Sequence, residues 1–185
     1  MSVRTFAVLT AFAIAPVAIA ADEENPYKKV KLGDYATYKT TTKIAGMSLE
    51  GLLTQTVSAK SDKEVTLKIT GKINNVDIPG QEQKVDLTKP YDPTKAALPP
   101  GTEAKVEKVK DGKEKVKAGG KEYECTWETY KVKAKTNGME IEAEVKVWQS
   151  KDLPLLVVKM EMNADTAGTK IEMEMELSES GTKSD

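Results

Sequence analysis

The chain has 185 residues, 39% hydrophobic, 31% charged and only 5% aromatic, with no His, one Arg (Arg4) and one Cys. The missing His excludes Ser-His-Asp and Cys-His nucleophiles. It also leaves zinc only carboxylates and a single thiol, and one Cys forms no internal disulfide. The length fits one domain, and the apolar residues are too regularly spaced for a disordered chain.

Residues 1–20 read as an export signal. Arg4 precedes an apolar run over residues 6–15, then a break at Pro16 and the small-residue pattern Ala18-Ile19-Ala20. Cleavage is expected after Ala20. The run is short for a membrane span, so no stable span is expected once it is removed; the competing reading is an uncleaved anchor. No Cys lies near the cleavage point to carry a lipid. The remaining 165 residues hold 27 Lys against 29 acidic residues and no Arg. A periplasmic or secreted location follows. Residues 21–33 form a polar leader.

From residue 34 the apolar positions fall into period two. Residues 35–44 are rich in Thr and Tyr, as strands prefer. Ala45-Gly46 is a turn into residues 47–57, where Met47, Leu49, Leu53 and Val57 share a parity. A turn over residues 60–63 follows, and then Val65, Leu67, Ile69 and Ile73 alternate with Thr and Lys. Residues 88–101 carry Pro90, Pro93, Pro99 and Pro100, which interrupt ladder pairing. They form a long connection, either a plain crossover or a flap over a ligand.

Asn137-Gly138 is the strongest hairpin signal in the chain. A two-residue turn there sets Lys135, Lys133 and Lys131 opposite Glu140, Glu142 and Glu144. The same register sets Ala134, Val132 and Tyr130 opposite Ile141, Ala143 and Val145. One face is then charged and the other apolar. Upstream, Tyr123, Cys125 and Trp127 have the other parity, and a β-bulge near Glu128 and Thr129 would restore one common face. A turn at Asp152-Leu153-Pro154 leads into a strand over residues 155–162. After a loop over residues 163–169, the strand 171–177 pairs Met160 with Met173, Val158 with Met175 and Leu156 with Leu177.

The expected fold is therefore all-β, with at most one short helix: a curved antiparallel sheet or half-barrel of eight to nine strands built from hairpins. Residues 34–178 make the single domain, and residues 179–185 a disordered tail.

Most candidate sites in the sequence also have a plain structural role. Ser180-Gly181-Thr182-Lys183 sits on the tail without a scaffold, and Gly119-Gly120-Lys121 lacks the spacing of a phosphate loop. Glu172, Glu174 and Glu176 lie about 7 Å apart along one strand face, too far to converge on a cation. Lys105, Lys108, Lys110, Lys113, Lys115, Lys117 and Lys121 make residues 105–121 basic. They either guard an edge strand or meet an anionic envelope surface. Nucleic acid is excluded as a partner, since no Arg reads bases. Cys125 reads as a buried, inert thiol. Most informative are the methionines, which sit on apolar parities where they either fill the core or line a ligand surface. The expected apolar lining is Met47, Leu53, Met139, Val158, Met160, Met173, Met175 and Trp127. No catalytic residue, cofactor or metal is expected.

The segments Tyr-x-Cys-x-Trp from Tyr123, residues 147–154 (Val-Trp-Gln-Ser-Lys-Asp-Leu-Pro) and residues 158–161 (Val-Lys-Met-Glu) resemble a class of exported bacterial β-rich proteins. These in turn look like periplasmic lipoprotein carriers of the LolA type. That resemblance implies an incomplete β-barrel that holds acyl chains in its concave face. It points to a non-enzymatic protein whose partner is a lipid or another apolar small molecule. The alternative is a structural envelope module acting through its surface.

Overall fold

The computed structural model describes residues 25–89, 103–136, 139–166 and 168–183. The expected export signal, most of the Pro-rich segment and the turn at Asn137 and Gly138 lie outside these residues. A 3-10 turn, Pro26–Lys29, precedes nine strands. They are β1 (Asp34–Ile44), β2 (Met47–Lys60), β3 (Glu64–Ile73), β4 (Val76–Asp86), β5 (Glu103–Ala118), β6 (Lys121–Thr136), β7 (Met139–Gln149), β8 (Val157–Thr166) and β9 (Thr169–Thr182). They form one antiparallel sheet in the order β4-β3-β2-β1-β9-β8-β7-β6-β5. The sheet is not closed: β4 and β5 are its two edges.

Curvature has a local cause. Five of the eight strand pairs carry a register shift, and each extra residue bends its strand and tightens the twist. β1 alternates strictly, with Ala36, Tyr38, Thr40, Thr42 and Ile44 buried on the concave face. The outward face is polar, with Lys39 and Lys43 exposed.

The two ends of the half-barrel differ. At the end where β1 begins, the 3-10 turn folds across the opening and buries Tyr27, and Val30 beyond it is buried too. Asn25 accepts from the Tyr27 amide at 3.1 Å and donates to the carbonyls of Asp86 and Lys89. Lys60 donates to the carbonyls of Lys28 at 2.7 Å and Val30 at 2.5 Å. Leu87, Leu153 and Leu155 complete this seal. Hairpin turns at the other end include Ala45-Gly46 and Asn74-Asn75, whose residues all have positive φ. That geometry matches the twist of the flanking strands. The core at this end is thinner, built from Ile44, Ile141 and Ile171 with Ala134, Ala143 and Ala164.

The β6–β7 register is the expected one, from Lys135 opposite Glu140 to Tyr130 opposite Val145. Three expectations are corrected. The bulge lies not in β6 but in β5, between Lys108 and Lys110, while β6 pairs with β7 without a shift. In β8–β9, Met160 pairs with Met175 and Met162 with Met173, two residues from the expected register. The strands run on to Thr166 and Thr169, and Gly168, at φ +82°, sits in the short turn between them. A shift of two keeps every side chain on its face. Finally, the strand continues past residue 178. β1 supplies a partner as far as Asp34 opposite Thr182, whose hydroxyl donates to the Asp34 carboxylate at 2.6 Å.

Candidate functional site

Two cross-strand rows define the open half of the concave face. One runs Thr42, Met173, Met162, Val145, Tyr130. The next runs Ile44, Ile171, Ala164, Ala143, Val132, Val106. Directly opposed side chains share a face, so each row is a continuous strip. Met173, Val145 and Val132 touch both the sealed-end core and the Ile/Ala cluster, yet stay half-buried. On the β2–β4 wing, Leu49, Leu53, Ile73 and Ile78 are half-buried too. Apolar surface therefore stays accessible between the two wings, and the core toward the turns mixes alanines with isoleucines.

Glycine shapes this wing. A Cβ on Gly71 would stand 2.3 Å from the Leu52 carbonyl oxygen and 2.7 Å from Leu53 Cδ2. One on Gly51 would stand 2.6 Å from the Lys72 carbonyl oxygen. Only hydrogen at these positions lets the strands coil so closely.

The expected lining divides into four parts. Leu53 and Met173 flank the open half. Val158, Met160 and Met175 are buried in the packed core toward the sealed end. Met47 is 43% exposed beside its turn, and Val76, 69% exposed, stands at the next turn along. Met139 opens β7 opposite Thr136, and its side chain is outside the described residues. Trp127 belongs to the opposite face, which corrects its assignment to the lining. It lies in one row with Gly112, Trp148 and Lys159, whereas Met160 points the other way. Lys146 packs between the indoles, 4.3 Å from the Trp127 ring centre and 4.1 Å from that of Trp148. The Trp148 indole N–H donates to Glu114. A sequence signal for this arrangement existed in the fixed β6–β7 register, which pairs the two tryptophans.

The remaining candidates take structural roles. Glu172 and Glu174 pair with Lys43 at 3.8 Å and Lys159 at 2.8 Å on the outward face. Among the described residues, no group of three or more His, Cys, Asp or Glu could hold a metal. β5 is an edge strand, and its Lys108 and Lys115 pair with Glu128 and Glu122 of β6. Cys125 is buried, with its thiol pushed up to about 11 by burial first and then by the charges of Glu114 and Asp152. At pH 8 such a thiol is about 0.1% thiolate. Native protein will therefore leave Cys125 unmodified by an aromatic disulfide reagent that reacts fully in urea; rapid native reaction would contradict this burial.

The molecule is thus an open antiparallel half-barrel, sealed at one end and apolar at the other. No family model and no curated protein matches the chain. Two solved structures share its fold. One is a Bacteroides fragilis protein provisionally described as exported, with a YmcC-like fold; it is 12% identical, with a TM-score of 0.54 over 82% of this chain and 97% of its own. The other, from Parabacteroides distasonis, is provisionally described as a lipoprotein; it is 9% identical, with a TM-score of 0.53 over 82% of this chain and 96% of its own.

Proposed function

We propose that the protein is an exported, non-enzymatic binder of an apolar ligand, a lipid or similar molecule, in the open half of its concave face. The observation that carries this reading is the strip of Met173, Val145 and Val132, half-buried between two packed clusters. Soluble domains bury such surface when nothing else covers it, and accessible apolar surface at a concave site favours a ligand. Met173 adds an adaptable, polarizable contact suited to acyl chains of varied shape. Export rests on the expected leader, and the descriptions of the two structural neighbours agree with it. Among the described residues, no helix is long and apolar enough to cross a membrane. The resemblance to LolA-type carriers supports the same ligand class, and the His-free composition supports a binding role over catalysis.

The reading is tested with a fluorescent fatty acid and delipidated protein. Met173→Glu is expected to weaken uptake by at least about tenfold, because a carboxylate has no partner in an apolar strip. Leu52→Glu, on the outward face of the same sheet, should bind as the parent does. Equal binding by parent and Met173→Glu, with unchanged circular dichroism, would contradict the site.

A further inference from the structure

Two polar side chains interrupt the apolar concave face of β1. Thr42 stands beside Met173 in the open half, and Thr40 stands at its inner limit beside Met175. They are 8% (Thr40) and 6% (Thr42) exposed, and neither hydroxyl makes a hydrogen bond among the described residues. Resting on the apolar-ligand reading above, we propose that this pair selects lipids with an uncharged polar group, such as a monoacylglycerol or a long-chain alcohol, over ionised fatty acids.

Both hydroxyls are within reach of a ligand. β1 is flanked by β2 and β9, so any opening on its concave side leads into the cavity. The orphan atoms Gln149 Nε2 and Thr166 Oγ1 are fully enclosed, whereas the Thr40 and Thr42 oxygens are not. Gly51 of β2, opposite Thr40, keeps one of them open. A Cβ there would stand 2.8 Å from the Thr40 hydroxyl oxygen and cover it. An unpaired hydroxyl among apolar neighbours is unfavourable, and valine has the same shape without that cost. A ligand hydroxyl or ester supplies the bonds that the protein itself does not make.

Charge decides between neutral and ionised ligands. The concave positions of β1, β2, β3, β7, β8 and β9 carry no charged side chain. The row that starts at Thr42 ends, past Val145 and Tyr130, at Lys108 of β5. That ammonium is already held by Glu128 at 2.6 Å and Asp111 at 3.4 Å, and the Tyr130 hydroxyl also donates to Glu128. One lysine against two carboxylates leaves a surplus negative charge, which disfavours a carboxylate or phosphate on the ligand. A neutral hydroxyl meets no such repulsion and can both donate and accept.

The test compares two ligands with the same acyl chain, monododecanoylglycerol and dodecanoate, at about pH 8, where the acid is ionised. Each competes with the neutral fluorescent probe phenylnaphthylamine for delipidated full-chain protein. The ester should displace the probe at a concentration at least about tenfold lower than the acid. In the double variant Thr40→Val/Thr42→Val this preference should shrink to about threefold or less, while the melting temperature holds or rises. The selection is overturned if dodecanoate competes as well as the ester, or if the double variant keeps the parent's preference. A probe that never binds, or that neither ligand displaces, overturns the apolar-ligand reading itself and this inference with it.

Discussion

Alanine at Gly71 is expected to destabilise the protein by about 3 kcal/mol, the upper range for overpacking. The new Cβ would meet backbone, the Leu52 carbonyl oxygen at 2.3 Å, and not merely a side chain that can swing aside. Relief requires β2 and β3 to separate locally, at the point where the β3–β4 register shifts between Ile69 and Gly71. Elsewhere in a strand the same change is favourable, because Gly loses more conformational freedom on folding. Gly80 is the control. It lies on the edge strand with nothing nearer than 3.8 Å to its would-be Cβ. Gly80→Ala should be neutral or stabilising by up to ~1 kcal/mol. Urea denaturation of both variants checks the pair, and equal stabilities would contradict the close coiling of this wing.

Tyr38→Ala should cost about 4 kcal/mol, a large share of the ~5–15 kcal/mol that holds a domain folded. Tyr38 is fully buried at the centre of the sheet, beside Leu177 of β9 and Leu53 of β2. Its hydroxyl donates to the Val157 carbonyl at 3.2 Å, tying β1 to the start of β8 across the concave face. Burial alone raises its pKa well above the ordinary tyrosine range. The hydroxyl therefore stays protonated as long as the fold persists. Tyr38→Phe keeps the ring and loses only this bond, so it should cost about 1 kcal/mol. The difference between the variants, read by thermal unfolding, separates packing from hydrogen bonding. A phenylalanine variant as unstable as the alanine one would contradict the packing account.

Where local chemistry specified register, the fold was legible in the sequence. Asn137-Gly138 together with the Lys/Glu alternation admits one pairing of β6 with β7, and that pairing is present. The β8–β9 register was ambiguous because a shift of two residues keeps Met160, Met162, Met173 and Met175 on the same face. Only the position of the short turn decides between the registers, and the Thr-rich flanks disguise it as a loop. The change of parity in β6 was visible, but parity alone does not distinguish a bulge from a true change of face. Trp127 lies on the outer face, where Lys146 covers its ring. The sealed end was hidden for another reason. Tyr27 and Val30 lie three residues apart in a short, lysine-rich stretch that fits no strand period, and their burial comes from contacts far along the chain, such as Asn25 with Asp86.

The candidate site was legible in kind rather than in detail. Methionine and leucine on the concave parity indicated an apolar interior, and Met173 and Leu53 do flank its accessible part. Burial of Met160, Met175 and Val158 depends on how the sealed end folds over them, which strand patterns do not encode.

The most direct test of the concave face as a ligand site is native mass spectrometry of the full chain, expressed with residues 1–20 in place and purified without detergent. The account predicts a non-covalent adduct of lipid mass on the parent, lost from Met173→Glu and retained in Leu52→Glu. A bare protein mass for all three, together with no uptake of fatty acid by the parent, would contradict it.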